Sequence, residues 1–179
     1  MHLLARKALE TYLKEKRVLA QSDVNSQMLT YTTQKNALFV TISHEQKVIA
    51  SAGRIQCQKE NSFQECIDLA LLTLKDPRFT TNFQNAEELE KLSIRVDVLS
   101  PASRRVLSSI DELDIKKEGI IFLSQNLGVM SIILPNMIKN DPSPEKYFEL
   151  ACKKAGVNPA DLQAGSYVIY GLSTEISEG

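Results

Sequence analysis

The residues of this chain whose types could do chemistry gather between positions 44 and 79: His44, Ser51, Cys57 and the run Asp76-Pro77-Arg78-Phe79. A serine acts as a nucleophile only when a base takes its proton, whereas a cysteine is already partly thiolate at neutral pH. Ser51 stands in Ala50-Ser51-Ala52-Gly53, a partial match to the Gly-x-Ser-x-Gly elbow. That elbow requires a strand-to-helix turn and its first glycine. Here the strand pattern runs on through Arg54-Ile55, so a plain strand serine is the simpler reading. His44, across the same hairpin, could serve as the base and reads more simply as a polar turn histidine. Asp76 and Arg78 carry opposite charges beside a helix terminus. There they either hold the loop in shape or line a pocket in which the arginine grips an anion. The two histidines, His2 and His44, have no cysteine or carboxylate at ligand spacing beside them. Neither a metal site nor a cofactor is expected.

The elements that must position these residues follow from periodicity. Leu38 to Ser43 and Val48 to Gln56 alternate with period two across the polar linker His44-Glu45-Gln46-Lys47 and read as a hairpin. Gly53, inside the second strand, marks a bulge or a close approach by another backbone. Ser62 with Glu65 fits a capping box, and Phe63, Cys66, Ile67, Ala70, Leu71 and Leu74 then form one apolar stripe of a helix that Pro77 ends. An N-terminal amphipathic helix is expected from Leu4, Ala5, Ala8, Leu9, Tyr12 and Leu13, and a polar loop with room for one short strand from Gln21 to Lys35. Ala86 to Leu92 suggests a short helical turn, Ile94 to Leu99 a strand stopped by Ser100-Pro101, and 102–117 carries no firm pattern. Gly119 to Leu123 and Val129 to Leu134 read as a second hairpin. Ser143-Pro144 opens a helix that buries Tyr147, Phe148, Leu150 and Ala151 and stops at Gly156, and Tyr167 to Thr174 reads as the last strand. Hairpins with helices between them indicate an α+β fold, mainly antiparallel sheet flanked by helices.

Composition sets the outer bounds. With 179 residues, 43% of them hydrophobic, the chain can bury a sizeable core as one domain. Lysine and arginine number 21 against 22 aspartates and glutamates, so no global field steers it to nucleic acid or acidic lipid. The basic pairs Arg104-Arg105 and Lys116-Lys117 have no aromatic residues alternating with them as a stacking platform. Three cysteines, Cys57, Cys66 and Cys152, without a CxxC pair point to free thiols in a reducing compartment, and a cytoplasmic location is expected. No apolar run reaches membrane-spanning length.

Asp76-Pro77-Arg78-Phe79, Val96-Asp97-Val98-Leu99-Ser100-Pro101, Glu118-Gly119-Ile120, Leu134-Pro135 and Lys154-Ala155-Gly156 occur in this order. With them the chain resembles the AMMECR family, named for a human chromosomal region linked to Alport syndrome, midface hypoplasia and elliptocytosis. The resemblance implies a two-lobed α+β fold over residues 1–179, with a smaller α/β lobe of about 46–91 inserted in the larger one. The family's run Leu-Arg-Gly-Cys-Ile-Gly, counted back from Asp76, falls on Val48 to Gly53, where only the final glycine is kept. Ser51 then stands where the family has a cysteine suspected of catalysis, and a shifted register would put Cys57 there instead.

Three function classes follow. The first is a protein- or ligand-binding module using Ser51, Gly53, Asp76 and Arg78; for its partner, the resemblance implies a Memo-like or radical-SAM protein. The second is a hydrolase or transferase whose nucleophile, Ser51 or Cys57, lies in an inter-lobe cleft with His44 as a further candidate. The third, an RNA-associated factor, is disfavoured by the charge balance.

Overall fold

Alternating apolar strands need a helix to cover them, and the first half of the chain supplies two. The computed structural model describes residues 1–80, 86–99, 101–163 and 165–179. The chain forms two compact units, Met1–Leu99 with Glu175–Gly179, and Ser100–Thr174. The first contains α1 (His2–Glu15), α2 (Ser26–Leu29), β1 (Ala37–His44), β2 (Lys47–Gly53), α3 (Ser62–Thr73), α4 (Pro77–Thr80) and β3 (Ser93–Leu99). The second contains β4 (Arg104–Leu107), β5 (Glu118–Ser124), β6 (Val129–Ile133), α5 (Pro144–Ala155) and β7 (Val168–Ser173), after which β8 (Glu175–Glu178) returns to the first unit. Two four-stranded antiparallel sheets result, ordered β2-β1-β3-β8 and β4-β7-β5-β6. The α+β expectation is met. Residues 46–91 lie within the first unit, and the unit boundary falls after Leu99.

In the first sheet Leu38, Val40 and Ile42 of β1 and Ile94 and Val96 of β3 share one face, since their cross-strand partners match. They form one core with Leu4, Ala8 and Leu9 of α1 and Phe63, Ile67 and Ala70 of α3. Each Leu, Ile, Val or Phe side chain so buried contributes about 1.5–3 kcal/mol. The second core joins Ile120, Phe122, Ile133 and Ile169 to Tyr147, Ala151 and Cys152 of α5. Ser143 caps α5, its hydroxyl accepting from the Lys146 N–H, and Gly156 ends it at φ 73°, as its sequence indicates.

Several local expectations are corrected. Gln21 to Lys35 contains no strand: it winds through 3-10 turns and α2. Asn61, not Ser62, caps α3, accepting from the Gln64 N–H, while the buried Ser62 hydroxyl accepts from the Asn36 N–H at 2.8 Å. The helix closes before Pro77, its last N–H groups bonding three residues back, from Leu74, Lys75 and Asp76 to Leu71, Leu72 and Thr73. Pro77 instead opens α4, where its missing N–H costs nothing. The bulge falls opposite Ile42/Ser43, not at Gly53. Leu150 of α5 is 38% exposed, and Cys152 takes the buried place. Ser100, half of the expected Ser100-Pro101 stop, lies outside the described residues.

Candidate functional site

Ser51 sits in β2, at the edge of its sheet, with its side chain exposed. Its residue partner is Thr41, whose own partner on β3 is Arg95, so the three share the sheet face opposite the helices. The Ser51 Oγ lies 3.4 Å from the Thr41 Oγ1. Its backbone N–H donates to Asp76 Oδ2 at 3.1 Å. Asp76 also accepts from the Arg78 backbone N–H and Nε, each at 3.0 Å on Oδ1, and from Arg78 Nη2 at 2.6 Å on Oδ2. The Arg78 guanidinium first, then the Arg78 and Ser51 amides, outweigh the effect of burial and hold the Asp76 carboxyl down at about 2. Phe79 is buried in the first core. Asp76 therefore fastens the edge strand, Pro77 starts the next turn, Arg78 neutralises the carboxylate and Phe79 anchors the loop. The structure brings Ser51, Asp76 and Arg78 together.

His44 is not among them. It pairs with Lys47 at the turn, three residues along β1 from Thr41, or about 10 Å at the rise of a strand. A general base must come within hydrogen-bond reach of the proton it takes. Cys57 is half-buried, and its thiol donates towards the Lys59 carbonyl at 3.5 Å and Glu65 Oε2 at 3.8 Å. Burial and then the Glu65 charge push this thiol up, away from the thiolate. His44 is therefore out of reach as a base for Ser51, and Cys57 lacks the surroundings of an activated nucleophile.

Gly53 makes a close approach, to a side chain rather than to another backbone. A Cβ built on it would stand 2.0 Å from Cδ1 of Phe39, its cross-strand partner, so the missing side chain makes room for that ring. Beyond Gly53 the strand does not continue to Gln56. The Arg54 N–H still bonds the Leu38 carbonyl at 3.0 Å, and its side chain then turns to Glu65 at 3.0 Å and Asp68 at 2.7 Å. Glu65, fully buried, also accepts the Gln58 and Lys59 N–H groups at 3.0 and 2.9 Å. Its carboxylate shapes the loop from β2 to α3 instead of completing a capping box.

One further constellation lies outside the residues that the sequence singles out. Arg95 and Asp97 form a buried two-pronged ion pair, Nε to Oδ2 at 2.7 Å and Nη2 to Oδ1 at 2.6 Å, on the face that carries Thr41 and Ser51. Period-two alternation placed both away from the helices; their burial, which is long-range, left no local signal. Among the described residues no group of three or more His, Cys, Asp or Glu side chains could hold a metal ion. No helix among them is long and apolar enough to cross a membrane.

Comparison with known proteins bears on family and fold. Residues 2–176 match the AMMECR1 family. The fold is similar to the crystal structure of the uncharacterised protein PH0010 from Pyrococcus horikoshii, at a TM-score of 0.80 and 22% identity over 99% of this chain and 88% of that one. No curated protein matches the sequence.

Proposed function

This chain belongs to the AMMECR1 family, and from that premise we propose that it is a non-catalytic binding module whose partner meets the Ser51 edge of β2. The observation that carries the reading is the clamp from the Ser51 amide through Asp76 to Arg78. An edge strand is a ready template for pairing with another chain. With the Ser51 N–H occupied, a partner reads side chains at this point rather than adding a strand. The Arg78 side chain, paired with Asp76, is 54% exposed beside it and gives the partner a planar hydrogen-bonding surface to read. The partner is a Memo-like or radical-SAM protein, the association that the family resemblance implies. A cytoplasmic setting suits the three free cysteines.

The test is titration of the purified chain against a purified Memo-like protein and a radical-SAM protein of the same source, followed by sedimentation. A saturable complex with one of them, weakened about tenfold or more by both Ser51→Arg and Arg78→Glu, is expected. The absence of a complex, or a complex indifferent to both substitutions, contradicts the reading.

A further inference from the structure

A cavity of about 480 Å³ opens beside α3 and shares no lining residue with the Ser51 clamp. Its volume falls in the range of small-molecule sites. Val18 and Leu71 supply its accessible apolar surface, with the buried Leu19, Phe63 and Ile67 behind them, and Lys59 and Asp68 stand at its polar side. Lys59 Nζ lies 3.0 Å from Asp68 Oδ1, and the other Asp68 oxygen is 2.7 Å from Arg54, which in turn holds Glu65. Two cations and two carboxylates thus balance. The Lys59 and Asp68 side chains remain 41% and 32% exposed, within reach of a ligand.

That balance decides what fits. An anion bound to Lys59 would draw it from Asp68 and leave a carboxylate one partner short; a cation on Asp68 would do the reverse to Lys59. A molecule carrying both signs offers each side chain a replacement and leaves the net charge unchanged. An apolar body then covers Val18 and Leu71, where burial stabilises in proportion to the area still exposed.

We propose that this cavity binds a small amphipathic zwitterion of the size of an apolar dipeptide, its ammonium group on Asp68, its carboxylate on Lys59 and its side chains on Val18 and Leu71. This site goes beyond the proposed partner surface, and either can fail without the other.

The probe is the dipeptide Leu-Phe with free termini, titrated into the full chain while the methyl resonances of Val18, Ile67 and Leu71 are followed by NMR. Saturable shifts centred on those methyls are expected. Asp68→Asn should weaken binding about tenfold, the scale of one charge-assisted contact. Ala20→Trp, at an exposed position on the rim, should abolish binding without touching the core. Unsaturated shifts up to the solubility limit would overturn the proposal. So would equal binding of the doubly capped dipeptide, which reports an apolar pocket without charge recognition, or binding indifferent to Ala20→Trp.

Discussion

At the scale of the residue, Asp76 is the centre of the candidate site, and its chemistry is testable through pH. Its carboxyl lies at about 2 in the folded chain against 3.8 ordinarily. A depressed carboxyl contributes stability that is present above its unfolded value and is lost as pH falls through the folded one. Asp76→Asn should therefore cost about 1–2 kcal/mol at pH 7, and the gap from the parent chain should close between about pH 4 and pH 2 in urea unfolding. A gap unchanged down to pH 2 would mean that the charge is not what matters. Asp76 and Arg78 were legible as a pair at a helix terminus, but the Ser51 amide they fasten was not, because it lies 25 positions away. Glu65 was misread for the same reason: Ser-x-x-Glu has a local meaning, and the Arg54 side chain and Gln58 and Lys59 amides that claim it appear only when the loop folds back. The surroundings of Ser51 and Cys57 predict that Ser51→Ala and Cys57→Ala leave any turnover found by broad substrate profiling unchanged. A loss in either variant would restore the enzyme reading.

Elements obey the same physics with larger stakes. Gly53 and Phe39 are one contact, so Gly53→Ala should destabilise by about 1–3 kcal/mol, as overpacking does. In the Phe39→Ala background the same change should cost much less, a coupling that a double-mutant cycle in chemical denaturation reads directly. The turn of this hairpin holds Glu45 and Gln46 at φ 48° and 65°, a left-handed geometry better suited to Asn-Gly. Replacing the pair should raise stability by roughly 1 kcal/mol, measured the same way. The hairpin, α3, α5 and β3 were readable because hydrophobic period and caps are local. The helical turns between Gln21 and Thr33 were not, since a polar, low-charge stretch has no period to read. Their short helices lean on neighbours, Met28 and Tyr31 packing against the first core.

For the whole molecule, the sequence conveyed the α+β class and two hairpins, but not how the strands sort into two sheets. β8 shows why: it is short and polar, follows β7 after the single residue Thr174, and pairs with β3 some eighty positions back. Only long-range register places it. The smaller lobe of about 46–91 is what the resemblance implies; within the first unit, β2 of that stretch contacts β1 and α3 contacts α1. What organises the candidate site is then one tertiary bond, from the end of α3 to the rim of a sheet.

Amide hydrogen exchange at Ser51, read by NMR in the full chain and in Asp76→Ala, tests that bond most directly. The clamp predicts a Ser51 amide protected well above a solvent-exposed edge position in the parent chain, and fast exchange there in the variant while the amides of α3 keep their protection. A Ser51 amide that exchanges freely in the parent chain, or one that is equally protected without the Asp76 carboxylate, would contradict it.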